Sequence, residues 1–141
     1  MPLADLFRTP KQDPLRENAL GPTDIVTGIH VRLPARGGRG VFLKARERQV
    51  WDFALASVAA HVQLEGNGRV TAAHIVLGGV APNPWVSMEA SKAVAGERLT
   101  EEACRRAAAA AVAAARPMRD NGYKVELTRS LIERALSSLR E

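Results

Sequence analysis

Three basic side chains occupy alternate positions of a predicted strand at residues 41–48: Lys44, Arg46 and Arg48. Because alternate residues of a strand point to the same side, the three cations would share one face. Three like charges are not buried against apolar residues unless partners neutralise them. The pattern therefore has two interpretations: a face turned to water, or a site for an anionic or electron-rich ligand.

Two histidines form a second candidate site. His61 and His74 lie on predicted strands on either side of residues 65–68, whose Asn-Gly pair is a strong hairpin signal. A turn centred on the Gly-Asn pair would place both rings diagonally on one face of the hairpin. No third ligand is recognisable, and His30 lies on another segment whose pairing is unknown. The spacing therefore does not predict a metal site.

The single cysteine, Cys104, excludes an internal disulfide and an all-cysteine metal or cluster site within this sequence. It lies in an alanine-rich predicted helix, which favours an inert thiol. The sequence contains no G-x-S-x-G elbow, no H-E-x-x-H helix and no glycine-rich phosphate loop. Without any paired carboxylates placed for acid–base work, the chain indicates a small α+β domain that assists chemistry performed elsewhere.

Length and charge restrict the classes of partner. The 141 residues suffice for one domain with a hydrophobic core. The net charge of +5 comes from 20 Lys and Arg against 15 Asp and Glu, and the excess is spread along the chain. Since nucleic-acid-binding surfaces usually cluster their cations beside aromatic residues, we expect no nucleic-acid partner. With no run of about 18 apolar residues and no signal-peptide pattern, we expect no membrane association.

The distribution of prolines and apolar residues predicts a connector at residues 1–24 and one domain at residues 25–141. The connector holds four of the eight prolines and little periodicity. Strands are expected where β-branched or alternating apolar residues occur. They are residues 25–33, 41–48, 53–64 and the stretch from residue 69 to the glycine pair at 78 and 79.

The glycine pair Gly78-Gly79 ends the last of these strands. Paired glycines suit a place where the backbone turns sharply or where another segment approaches closely. Pro82 and Pro84 follow and cannot continue an inner strand, because each lacks an amide donor. The sequence thus predicts strands before this point and helices after it.

The first two helices are marked by their caps. Ser87 is a candidate N-cap for a short helix that Gly96 terminates. Thr100 is a candidate N-cap for the second helix, which ends before Pro117. Its body, residues 107–115, is alanine except at one position, so a helix this thin could lie close on a sheet.

The third helix is predicted at residues 123–139 from an apolar stripe at helical spacing. Arg129 and Glu133 could form an i, i+4 ion pair on its exposed face. A leucine-rich stripe of this kind is normally part of the core. Its members are Leu127, Leu131, Ala135, Leu136 and Leu139.

Residues 75–85, Ile-Val-Leu-Gly-Gly-Val-Ala-Pro-Asn-Pro-Trp, resemble the A-L-G-G-V-A-x-x-P-W run of the flavin-binding (medium) subunit of molybdenum hydroxylases. That family includes xanthine dehydrogenase, carbon monoxide dehydrogenase and bacterial aldehyde oxidoreductases. Other segments resemble it in the same order: residues 2–7 (the closing segment of its FAD-binding domain), 20–29 (L-x-P-x-E-x-I-T-x-I, with Asp24 in place of glutamate), 44–48 and 53–60 (K-x-R-x-R … FALVSVAA), and 120–124 (D-N-x-x-K).

The resemblance implies the C-terminal domain of the FAD subunit, an α+β fold with an antiparallel sheet of three to four strands followed by three helices on one face. It implies that FAD is bound mostly by an upstream domain, whose glycine-rich pyrophosphate loops this sequence lacks. The family's flavin-approaching lysine matches Lys44, a first-strand contact falls at about Val26, and Trp51 stands near the flavin end. A cation beside the ring would stabilise reduced, anionic flavin, whereas Arg46 and Arg48 are expected to be solvated or structural.

In that family, the flavin passes electrons from 2Fe–2S clusters on one partner subunit, reduced by a molybdopterin subunit, to an acceptor. We therefore expect an oxidoreductase component that is inactive alone and located in the cytoplasm, or in the periplasm if exported with a partner. In isolation it could form a homo-oligomer. The alternatives are a non-catalytic assembly domain that kept the fold without binding flavin and a basic RNA-binding α+β domain.

Overall fold

A computed structural model describes residues 1–34 and 36–140. The chain divides into two compact units, Met1–Pro34 and Ala35–Glu141. The boundary predicted from the sequence, after residue 24, lies ten residues before the boundary between these two units. No helix in the described ranges is both long and apolar enough to cross a membrane.

The first unit contains one short helix, α1 (Leu3–Leu6), and an antiparallel bridge between Phe7 and Asn18. The strand expected at residues 25–33 is wrong, because the structure describes no strand there. Alternating apolar residues indicate only which face a strand would bury; the strand itself needs a neighbour to complete its ladder of hydrogen bonds. The five large apolar side chains of this segment are instead exposed: Ile25, Val26, Ile29, Val31 and Leu33.

The second unit is built on a four-stranded antiparallel sheet in the order β1-β2-β3-β4. The strands are β1 (Gly38–Ala45), β2 (Ala56–Leu64), β3 (Val70–Gly78) and the short edge strand β4 (Trp85–Val86). The predicted strand at residues 41–48 thus begins and ends three residues earlier, and the one at 53–64 begins three residues later. Strand β4, beyond the two prolines, was not predicted.

Three helices follow the sheet: α2 (Met88–Val94), α3 (Glu101–Val112) and α4 (Tyr123–Ser137). Both predicted N-caps are confirmed, since Ser87 Oγ accepts from the Ala90 amide and Thr100 Oγ1 from the Ala103 amide. Gly96 follows α2 with a φ of +77°, the left-handed conformation expected of a terminating glycine. The second helix ends at Val112, earlier than the predicted stop.

The hydrophobic core lies between one face of the sheet and the helices. Alternate residues of β2 and β3 are buried together with the predicted stripe of α4, of which only Leu127 is partly exposed. The alanine-rich helix α3 packs mainly between α2 and α4, while α2 and α4 contact the strands. The expectation that its thin body would lie on the sheet is therefore wrong: alanine at Ala103, Ala107 and Ala108 permits close helix–helix packing instead.

The predicted ion pair between Arg129 and Glu133 is also wrong. Arg129 donates from Nε and Nη2 to Glu126 Oε2, at 3.0 and 2.5 Å. Positions three and four residues away are both neighbours on a helix surface, so residue spacing alone does not select the partner.

Candidate cofactor-contacting face

One face of the sheet is left uncovered by the helices of its own unit, and we call it the open face. Residues paired across an antiparallel ladder point to the same side, so the register assigns its members. One row pairs Lys44 with Ser57 and Ser57 with Gly78, and the next pairs Phe42, Ala59 and Val76. The two further rows consist of Gly40, His61 and His74, and of Gly38, Gln63 and Ala72.

Lys44 lies at one end of the open face and is exposed. Its neighbour across the ladder, Ser57, is 8% exposed, and a Cβ added to Gly78 would collide with the Ser57 hydroxyl oxygen. The lysine side chain does not extend freely into solvent, because its Nζ donates to the main-chain carbonyl of Asp52 at 3.0 Å.

The connection between β1 and β2, residues 46–55, carries this carbonyl, and we call it the Asp52 loop. Asp52 Oδ2 accepts from the main-chain amides of Glu47 and Arg48 at 3.0 and 2.9 Å. Arg48 Nη2 also lies 3.6 Å from Asp52 Oδ1. The Leu55 amide donates to the Ala45 carbonyl at 2.9 Å and closes the loop. Such hydrogen bonds favour the ionised carboxylate, those from Arg48 first, and hold the pKa of Asp52 below its ordinary value of 3.8.

Exposed aromatic side chains accompany the lysine. Phe42 is 63% exposed on the same face of β1, while Trp51 and Phe53, both in the Asp52 loop, are each 95% exposed. Trp51 has a φ of +53°. A bulky residue rarely adopts this left-handed conformation, and such strain often occurs at functional sites.

The structure tests the predicted face of three cations and does not support it. Strand β1 ends at Ala45, so Arg46 and Arg48 lie beyond the strand and do not continue the alternation that begins at Lys44. Arg48 instead makes its contacts with Asp52 within the loop. Only Lys44 belongs to the open face.

The other two predicted contact residues lie in different parts of the chain. Trp51 belongs to the Asp52 loop, one residue from the carbonyl that holds Lys44. Val26 lies in the first unit, 57% exposed, within the segment that forms no strand. Its contact with a flavin stays a prediction.

Sequence reasoning missed two residues of this region, Phe42 and Asp52. Phe42 had a usable signal, because it lies two positions before Lys44 on the same strand. Asp52 had a weaker one: aspartate commonly accepts hydrogen bonds from nearby main-chain amides in turns. The sequence could not indicate that the same residue's carbonyl would reach the lysine.

The histidine pair differs from the prediction. The loop from Glu65 to Arg69 and an irregularity at Gln63 and Leu64 change the register, so His61 and His74 are directly opposite rather than diagonal. The His61 ring leans over β1, where a Cβ added to Gly38 would collide with it. Within residues 1–34 and 36–140, no group of three potential metal ligands is found.

A cavity of about 350 Å³ lies on the other side of the sheet, between the end of α3, the start of α4 and β4. Its walls are largely apolar, including Trp85 and a series of alanines, and the Lys124 ammonium on its edge already donates to the Gly79 carbonyl at 3.1 Å. Lys44, Phe42 and Trp51 do not line it. The open face, with its cation and exposed aromatics, is therefore the better candidate for cofactor contact.

Comparison with known proteins identifies the family. The CO dehydrogenase flavoprotein C-terminal domain matches residues 41–139. The chain belongs to this family. This family is the C-terminal domain found in the FAD-binding (medium) subunits of the xanthine dehydrogenase, CO dehydrogenase and aldehyde oxidoreductase group. The resemblance and the fold class predicted from the sequence are both confirmed.

Among curated relatives, the aldehyde oxidoreductase FAD-binding subunit PaoB of Escherichia coli is 31% identical over 138 residues, 98% of this chain. Carbon monoxide dehydrogenase from Hydrogenophaga pseudoflava, a form lacking the Mo-pyranopterin moiety of the molybdenum cofactor, matches 77% of this chain with a TM-score of 0.70 and 29% identity. Quinoline 2-oxidoreductase from Pseudomonas putida 86 matches 75% with a TM-score of 0.67 and 25% identity. This chain spans 40% of PaoB and 39% and 37% of the two matched chains.

Proposed function

We propose that this chain is the C-terminal part of the FAD subunit of a molybdenum hydroxylase, and that Lys44 and the open face support the ring end of the flavin. The observation that carries the proposal is the exposed Lys44 ammonium at the end of an uncovered sheet face, beside exposed aromatic side chains. A fixed cation in that position can stabilise negative charge that develops on a bound ring.

The open face fits a planar group better than a phosphate. Near Lys44 the open face is formed by the small residues Ser57, Gly78 and Ala59 together with the Phe42 ring, whereas the His61 ring covers its far end at Gly38. The described residues include no glycine-rich loop opening a helix, the usual cradle for a pyrophosphate. We therefore assign to this chain the isoalloxazine end of FAD, with the remainder of the cofactor held by the upstream region that its relatives contain.

FAD, when bound, would supply the electron-accepting chemistry. This chain would supply the Lys44 cation, the neighbouring small residues of the open face, which shield one side of the ring from water, and aromatic contact from Trp51. An ammonium close to the flavin favours the anionic reduced form over the neutral oxidised form, because opposite charges stabilise each other. The direct consequence is a less negative reduction potential.

The proposal extends to the partners. We infer that the flavin receives electrons from 2Fe–2S clusters on an iron–sulfur subunit, which a molybdopterin subunit reduces, and that the assembly is cytoplasmic, or periplasmic if exported with a partner. The similarity to the FAD-binding subunit PaoB over 98% of this chain supports the role as part of a FAD subunit. It also favours flavin support over an assembly domain that kept the fold without the cofactor.

The test is a pair of substitutions in the assembled flavoprotein that contains this chain. Lys44→Ala should make the flavin potential more negative and weaken FAD retention by about 10-fold or more, the loss expected for one hydrogen bond or contact to a charged group. Arg46→Ala removes a neighbouring cation outside the strand and is the matched control. Potentials and FAD affinities that are the same for both variants and the wild type would refute the role of Lys44.

A further inference from the structure

Asp52 contacts the surroundings of Lys44 through two different groups, its side-chain carboxylate and its main-chain carbonyl. Its carboxylate accepts the amides of Glu47 and Arg48 and so fixes the course of the loop. Its main-chain carbonyl accepts from the Lys44 ammonium. The side chain of Asp52 is 18% exposed, whereas that of Arg48 is 75% exposed, so the carboxylate lies inside the turn it organises.

A lysine ammonium needs such an anchor to act at a defined point. Four rotatable bonds separate the charge from the main chain, and an exposed lysine therefore samples many positions. The Asp52 carbonyl confines Nζ to one of them, at the end of the open face. The carbonyl direction depends in turn on the loop conformation, including the left-handed Trp51 immediately before it.

We propose that Asp52 is a positioning residue for Lys44: its carboxylate holds the loop whose carbonyl fixes the ammonium beside the flavin ring. The carboxylate itself does not act on the flavin. This inference rests on the proposed function of Lys44 and adds the residue that determines where its charge lies. The lowered pKa of Asp52 keeps the carboxylate ionised, and the loop anchored, at more acidic pH than for an aspartate without these hydrogen bonds.

The sign of the change in potential separates positioning from a direct charge effect. If the Asp52 carboxylate acted on the flavin through its own charge, removing that negative charge would make the potential less negative. If it acts by positioning Lys44, its removal releases the ammonium and makes the potential more negative, as Lys44→Ala does. The two hypotheses thus predict opposite shifts.

The experiment measures flavin potential in the assembled flavoprotein for Asp52→Ala, Asp52→Asn, Lys44→Ala and the double variant Lys44→Ala/Asp52→Ala. Glu47→Gln is the matched control, since it removes a carboxylate from the same loop but keeps the amide that Asp52 accepts. Circular dichroism and melting temperature establish that each variant folds. Asparagine keeps one side-chain oxygen as an acceptor, so Asp52→Asn provides the measurement at this position if Asp52→Ala does not fold.

We expect Asp52→Ala to shift the potential in the negative direction, Asp52→Asn to shift it less, and Glu47→Gln to leave it unchanged. The double variant should shift no further than Lys44→Ala alone, because the effect of Asp52 passes through the lysine. A wild-type potential in the Asp52 variants, a shift in the opposite direction, or an additive double variant would overturn the inference while leaving the role of Lys44 intact. No shift in Lys44→Ala itself would overturn both.

A measurement without flavin tests the anchor directly. In the nuclear magnetic resonance spectrum of the 141-residue chain, Asp52→Ala should change the Lys44 side-chain signals and accelerate exchange of the Glu47 and Arg48 amide protons. Glu47→Gln should leave the Lys44 signals as in the wild type. Faster amide exchange with unchanged Lys44 signals would show that the carboxylate holds the loop but not the lysine, and would overturn the inference independently of the flavin.

Discussion

Gly79→Ala should be one of the most destabilising single-methyl additions in this chain. Gly79 has a φ of +73°, and a Cβ built on it would lie 2.9 Å from the Ala54 carbonyl oxygen and 3.1 Å from that of Leu55. Both are main-chain atoms at the end of the Asp52 loop, so no side-chain rotation relieves the contact. The left-handed conformation costs an alanine about 1–2 kcal/mol, and overpacking adds about 1–3 kcal/mol, so the expected loss is about 2–5 kcal/mol.

Gly96→Ala is the matched control. Gly96 has nearly the same φ, +77°, but no atom in the described part of the chain lies within 4 Å of its added Cβ. It should lose only the conformational part, about 1–2 kcal/mol. The difference between the two variants therefore measures how closely the Asp52 loop approaches the glycine pair.

Urea unfolding of the two variants and the wild type, followed by circular dichroism, gives the free energies of unfolding. The dependence on urea should be the same for all three, which would show that the unfolding reaction is unchanged. For a chain of 141 residues, each kcal/mol lost lowers the melting temperature by about 3–4 °C. If Gly79→Ala is no more destabilising than Gly96→Ala, the close approach of the Asp52 loop to Gly79 is refuted.

Two further predictions concern buried or bonded polar groups. Because the pKa of Asp52 is lower in the folded chain than its ordinary 3.8, its stabilising effect is complete above that value and is lost as the pH falls through the folded pKa. The difference in unfolding free energy between wild type and Asp52→Asn should thus be constant above about pH 5 and shrink below pH 3.8; a difference that grows at low pH would contradict this. Thr128 Oγ1 is buried and has no hydrogen-bond partner among residues 1–34 and 36–140, so Thr128→Val should raise the unfolding free energy by about 1 kcal/mol. Thr100→Val, which removes an N-cap, should lower the unfolding free energy by about 1 kcal/mol. Urea unfolding that gives the same change in unfolding free energy for the Thr128 and Thr100 variants would contradict this prediction.

Local features of this protein followed directly from its sequence. The caps Ser87 and Thr100, the glycine at position 96 and the leucine stripe of α4 each depend on residues within one or two turns of a helix, where spacing and side-chain chemistry are sufficient. The glycine pair at 78 and 79 was predicted to allow a sharp turn or a close approach, and Gly79 shows both. Ordered motifs along the chain likewise identified the family.

Features that depend on distant partners did not follow. Residues 25–33 alternate like a strand, yet alternation supplies no neighbouring strand, and none is described there. The register of β2 and β3, which places His61 opposite His74, is set by the length of the hairpin loop and its irregularity rather than by the histidines.

The candidate site shows the same division. Alternation grouped Lys44 with Arg46 and Arg48, and the family resemblance then selected Lys44 among the three. Only the tertiary structure decided that Arg46 and Arg48 leave the strand and that the chain returns through Asp52 to hold the ammonium. The physical reason is that side-chain periodicity is a property of consecutive residues, whereas the end of a strand and the path of a loop are fixed by hydrogen bonds between segments that the sequence keeps apart.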